Sequence, residues 1–384
     1  KLLKDKNVKD LVVPIVPDES RTFGMDALFR QAGIYAHTGQ LYDPVDKESL
    51  LYYKEAKDGA ILEEGISEAG SMSSFIASGT SYSSHGIYTI PFFIFYSMFG
   101  FQRIGDFIWA AADARARGFL VGGTAGRTTL PGEGLQHQDG HSHHLAMSVP
   151  SCKAYDPAFA YELAVIVRAG IKKMFIDEED VFYYITVMNE KYEMPEIPAN
   201  AEEGILKGMY LYSSPSKKKD KHVQLLGSGT ILNEALKASD ILDKKFNVSS
   251  NVWSVTSYKE LYDNARDTER VNRLEVNKKD KPNYIQQLTS SEEGPFIAAS
   301  DYLKTLPLSV SKWFPGRLTA LGTDGFGKSD GREMLRDHFE VDAKHIAFTS
   351  MHTLYEERKI KKEELKKAMK ELNIDGSKAN PAMF

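Results

Sequence analysis

Short apolar runs alternate with helix-length amphipathic stretches along nearly the whole chain, and no other feature constrains its fold as tightly. Strand-like runs lie at about residues 11–16, 59–62, 88–96, 119–122 and 181–187. Helical patterns fall between them, at about 67–77, 102–117 and 157–169. The same rhythm resumes with strands near 223–226, 251–255 and 296–299, and helices near 230–245, 343–358 and 362–372. Alternation of this kind predicts an α/β fold with largely parallel sheets. Met194-Pro195-Glu196-Ile197-Pro198 is poor in periodic pattern and reads as a connector. Two consecutive α/β domains are expected, 1–198 and 199–384, which suits a chain of 384 residues at about 150 per domain.

Charge and cysteine content narrow the class of function. A net charge of −5 gives no basic footprint for nucleic acid. Lys217-Lys218-Lys219 follows Ser213-Ser214-Pro215 and reads as a solvated linker. Cys152 is the sole cysteine, so no intrachain disulfide can form; a buried structural thiol in a reducing compartment is expected. No leader-like segment opens the chain, and the most apolar stretch, 87–101, contains Pro91 and is shorter than the roughly 20 residues a membrane helix needs. A soluble, cytoplasmic protein is the expectation. Because Lys1 leads through charged residues directly into a strand, the chain reads as beginning inside a domain.

Chemistry concentrates between Gly122 and His144. Four histidines, Asp139 and Glu133 cluster there, which suggests metal ligation, but His137, His141 and His143 lack the spacing of a metal-binding helix and stand among glycines. A glycine-rich loop carrying polar groups at a strand's carboxyl end is favoured, since open α/β sheets bind ligands there. In Leu62-Glu63-Glu64-Gly65-Ile66-Ser67-Glu68, Ser67 can cap a helix and Glu68 can favour its positive end; the functional alternative is a buried carboxyl facing a ligand. Asp18-Glu19 ends a strand in the same manner, and Tyr96, Phe99 and Phe101 read by default as core. Gly227-Ser228-Gly229-Thr230 starts a helix but lacks the third glycine of a dinucleotide loop.

Taken together, five segments resemble the homodimeric-type bacterial pyruvate dehydrogenase E1 family: 21–25, 62–70, 95–106, 122–144 and 322–330. The resemblance runs from about residue 11 to the C-terminus. It implies a pyrimidine-binding, transketolase-like domain followed by a transketolase C-terminal-like domain. It further implies thiamine diphosphate as cofactor, pyruvate as substrate and oxidative decarboxylation with transfer of the acetyl unit to a lipoyl group on the E2 acyltransferase. Glu68 matches the glutamate that hydrogen-bonds the aminopyrimidine, a carboxyl that should be shielded from water. Tyr96 and Phe99 match the aromatic residues along that ring, and Ile66 the apolar residue that bends the cofactor. Glu19, Glu133 and His137 match polar groups around the substrate, with Asp18 and Arg103 as further members of the site shell.

The chain departs from the family pattern in two ways. Gln138 stands where glutamate is expected in many relatives, and no Asp-Gly pair is preceded by the glycine of the Gly-Asp-Gly motif that holds the diphosphate through Mg²⁺. The resemblance therefore implies a portion lacking the diphosphate domain, a homodimer, and no turnover by the portion alone. No metal site is assigned to the chain itself. Another transketolase-like activity, a silent assembly module, and a metalloenzyme using His137, His141, His143 and His144 remain as alternatives.

Overall fold

The computed structural model describes residues 2–17, 20, 22–43 and 54–383. Two compact units are present: residues 1–124, 145–153 and 168–187 form unit 1, and residues 125–144, 154–167 and 188–384 form unit 2. Asp18 and Glu19 lie outside the described residues.

A six-stranded sheet is built from β1 (Val12–Val16), β2 (Leu62–Glu63), β3 (Ile90–Tyr96), β4 (Phe119–Gly123), β5 (Cys152–Tyr155) and β6 (Phe182–Thr186), in the order β2-β1-β3-β4-β6-β5. The β2-β1-β3-β4-β6 ladders are all parallel. Helix α1 (Glu68–Gly79) follows β2 and α2 (Phe101–Asp113) follows β3. Strand β3 is almost unbroken apolar sequence because helices cover parallel sheets on both faces. Phe93 and Phe95 are wholly buried, each such side chain contributing roughly 1.5–3 kcal/mol.

Unit 2 centres on β7 (Met209–Ser213), β8 (His222–Gly227), β9 (Ser249–Val255), β10 (Phe296–Ala299) and β11 (Leu318–Leu321), ordered β11-β10-β8-β9-β7. Its ladders are parallel except for the antiparallel edge strand β7. Helices α3 (Ile231–Phe246) and α4 (Ala343–Glu356) enclose its core around Leu225, Leu232, Ile297 and Ile346. Among the described residues no helix is long and apolar enough to cross a membrane. Cys152 is buried.

Two expected elements end elsewhere. In place of a strand at 59–62, the pairing with β1 falls on Leu62 and Glu63. Residues 60 and 61 instead donate to Ala32 and Gly33 carbonyls, and a side chain at Gly59 would meet the Ile34 carbonyl at 2.4 Å. The helix expected to 117 stops at Asp113, and Arg115 turns to φ 57°. Arg117 is thereby buried, donating to the carbonyls of Met174 (3.1 Å) and Glu178 (2.9 Å) and to Asp180 (2.9 Å). Periodicity could not reveal these distant carbonyls. Arg117→Ala leaves them without a donor and is expected to lower the unfolding free energy by about 3 kcal/mol, read from the urea midpoint.

Candidate active site

Unit 1 gathers a carboxylate and aromatic rings beyond the carboxyl ends of β2 and β3. After β2, Gly65 at φ 67° turns the chain, Ser67 accepts a hydrogen bond from the Gly70 amide at 3.1 Å, and α1 begins. Glu68 thus occupies the first helical position, where the positive end of the helix favours an anion. It is 7% exposed. Arg103, in the first turn of α2, donates to Glu68 Oε2 at 2.9 Å and lays its guanidinium 4.1 Å from the centre of the Phe99 ring. Phe99 meets Tyr96 edge-on at 5.9 Å, and Phe23 tilts against Tyr96 at 5.2 Å. Ile66 stands 72% exposed in the turn before Glu68. The Ser67 cap that starts the helix thus also fixes the position of the Glu68 carboxyl.

Such a set could border a flat, nitrogen-bearing heterocycle. A buried carboxylate can bond a ring nitrogen, two mutually perpendicular aromatic rings can border a flat heterocycle, and an exposed aliphatic side chain can press against it. Arg103, the counter-ion of Glu68, has a half-exposed side chain, so that bond can yield to a ligand.

Glu133 and His137 belong to unit 2, on a loop with few regular elements. Both are half-buried. The loop's approach is fixed by Asp301, a fully buried residue just beyond β10. Its Oδ1 accepts from the amide (2.8 Å) and hydroxyl (2.7 Å) of Thr128; its Oδ2 accepts from those of Thr129 (3.1 and 2.6 Å). Gly126, at φ 88°, passes so near that a Cβ would lie 2.3 Å from Asp301 Oδ2. Arg127 donates to the carbonyls of Thr323 and Gly325, beyond β11. Asp301, Arg127 and the two threonines carried no site assignment in the sequence, because residues 128 and 301 are joined only by folding. The one available signal was an acidic residue just past a strand.

Three further sequence segments can be placed in this geometry. Gly227-Ser228-Gly229-Thr230 is no dinucleotide loop, because Thr230 Oγ1 meets Thr129 Oγ1 at 2.7 Å and a Cβ at Gly229 would lie 2.7 Å from Asp156 Oδ2. The loop histidines do not converge as metal ligands: the single grouping with such geometry among the described residues is Asp337, Asp342 and His345. Lys344 and Lys378 already supply positive charge there. Asp324, in the nearest approach to a diphosphate motif, faces Lys304, its Oδ1 accepting from the Lys304 amide at 3.3 Å.

Burial pushes the His143 imidazole down to about 4, partly opposed by Asp139, and pushes His222 down to about 4 as well. His143 packs edge-on against Tyr302 at 4.8 Å.

Parallel α/β units with a carboxylate and aromatic site at the strand ends define the transketolase-like class. The Campylobacter jejuni transketolase matches with a TM-score of 0.62 at 15% identity, over 90% of this chain and 44% of that one. A split gene transketolase described as an inactive β4 tetramer matches with a TM-score of 0.58 at 16% identity, over 92% of this chain and 94% of its own. Residues 1–195 match the pyruvate dehydrogenase E1 component middle domain and residues 208–342 the transketolase-like C-terminal domain; the chain belongs to the pyruvate dehydrogenase E1 family. Similar curated proteins are the pyruvate dehydrogenase E1 components of Pseudomonas aeruginosa, 53% identical over 381 residues, and Escherichia coli K12, 50% identical over 384. Each match covers 99–100% of this chain and 43% of the relative, so the chain spans less than half the length of those proteins.

The histidine shifts fix a pH dependence. A folded value below the ordinary 6.5 means that the unfolded chain takes up protons the folded chain refuses. This contribution to stability is complete above about pH 6.5 and is lost as the pH falls toward 4. Urea midpoints measured across that window are expected to decline on acidification, with the His143 ring resonance showing no protonation above about pH 5.

Proposed function

We propose that the chain forms the pyrimidine-binding and C-terminal parts of a pyruvate dehydrogenase E1, acting in oxidative decarboxylation of pyruvate with acetyl transfer to the lipoyl group of E2. The observation carrying this reading is Glu68, buried at the start of α1 beside Arg103, with Phe99 and Tyr96 adjoining. Thiamine diphosphate, when bound, supplies the carbon nucleophile that makes a 2-oxo acid able to lose CO2. Glu68 holds a proton at the pyrimidine N1′ and so raises the acidity of the ring's amino group. Its burial keeps water from competing for that proton. Tyr96 and Phe99 would border the ring, Ile66 would press on the cofactor, and Arg103 would balance the Glu68 charge in its absence.

His137 donates a hydrogen bond to the substrate oxygen that gains charge, and Glu133 supplies a polar group beside it; Glu19 and Asp18 enter the proposal through the family resemblance alone. The proposal places Mg²⁺ and the diphosphate on a further domain of the assembled enzyme. It also takes the working assembly to be a cytoplasmic homodimer that receives the E2 lipoyl domain, and the domain boundary to lie near residue 198. That a split transketolase chain of matching extent is described as inactive supports the expectation that this chain alone has no turnover.

In the assembled enzyme, Glu68→Gln is expected to slow deuterium exchange at C2 of bound thiamine diphosphate by about 100-fold or more, while the melting temperature changes little. Exchange at the wild-type rate would remove Glu68 from the mechanism. Turnover of pyruvate by the isolated 384 residues, given cofactor, Mg²⁺ and a lipoyl acceptor, would overturn the proposed division of labour.

A further inference from the structure

The loop bearing Glu133 and His137 has two feet, and each is clamped within unit 2. At the first, Asp301 grips Thr128 and Thr129 with four hydrogen bonds. The second is Gln138, 1% exposed and adjacent in sequence to His137. Its Nε2 donates to the Leu130 carbonyl at 2.9 Å, and its Oε1 accepts from the Lys328 amide at 2.8 Å. The first bond closes the ring from residue 130 to 138; the second ties that ring to the segment beyond β11.

Gly327 lies so close that a Cβ would stand 2.5 Å from Gln138 Oε1 and 3.0 Å from both Gln138 Cβ and the Leu135 carbonyl. The carboxamide is therefore sandwiched as well as bonded. Between the feet, Gly132 and Gly134 take φ 78° and 88°, and the amides of His137 and Gln138 close turn bonds of 3.3 and 3.2 Å.

We propose that Gln138 is a positioning residue, whose carboxamide staples residues 130, 138 and 328 and thereby sets where Glu133 and His137 stand. Only a side chain carrying both a donor and an acceptor can make the two bonds together. An ionised carboxylate in its place keeps the bond from the Lys328 amide but turns a second acceptor toward the Leu130 carbonyl. An aliphatic side chain of similar size makes neither bond and deprives the buried Leu130 carbonyl and the partly buried Lys328 amide of these partners.

The inference rests on the reading that Glu133 and His137 face the substrate. Its test, however, needs neither substrate nor cofactor, so the two can fail separately. Amide hydrogen exchange is compared in the 384-residue chain as wild type, Gln138→Leu and Gln138→Glu. Gln138→Leu is expected to speed exchange across residues 132–137 by about tenfold, with Gln138→Glu between it and wild type. Strand β8 amides keep their rates, and the ¹³C-labelled His137 ring resonance shifts in both variants. Should Gln138→Leu fail to fold, Gln138→Glu decides alone. Loop exchange within about twofold of wild type, an unshifted His137 resonance, or equal loosening of β8 would overturn the proposal.

Discussion

One buried carboxylate, that of Asp301, organises the chemical loop of unit 2. An ionised group removed from water is tolerable only when other dipoles replace its hydration, and two backbone amides and two hydroxyls converge on it here. The arrangement works in both directions. The carboxylate is satisfied by the loop, and the loop's Thr128 and Thr129 amides, which have no helix or ladder to join, are satisfied by the carboxylate. Thr230 then bonds Thr129, so the start of α3 braces the same point.

The protein settles its buried acids in different ways according to what each must do. Asp301 is enclosed, with both carboxylate oxygens bonded to the loop. Glu162, fully buried, accepts from the Ala158 and Phe159 amides, the Tyr210 hydroxyl and the Ser254 hydroxyl, while burial pushes its carboxyl upward. Glu68 differs in having a counter-ion, Arg103, whose side chain remains half in solvent. A locked acid suits a scaffold; an acid with an exchangeable partner suits a site that must accept a ligand.

Much of the fold was legible. The strands at 88–96, 223–226 and 296–299 are largely buried, so their sequences are almost wholly apolar, broken only by Thr89 and Gln224, and the Ser67 cap marked the start of α1 to within a residue. The edge strand β7, Met-Tyr-Leu-Tyr-Ser, escaped notice because only part of it is buried and its polar residues blur the pattern. The early end of α2 escaped for a different cause: Arg117 leaves the helix to reach carbonyls near 174 and 178. The residue types of the site, Glu68 with Tyr96 and Phe99, were readable as a set through their family resemblance. Asp301 and the staple at Gln138 were not.

By itself, then, the sequence determined the alternation of strand and helix, the caps and turns, and the family. These depend on neighbours within one or two turns of chain, and local periodicity records them. Tertiary structure alone decided which acid meets which amide: that Asp301 would hold Thr128 and Thr129, and that Gln138 would bridge Leu130 and Lys328. Such bonds join residues up to nearly two hundred positions apart, and their partners are backbone groups that every residue carries, so no side-chain pattern can announce them.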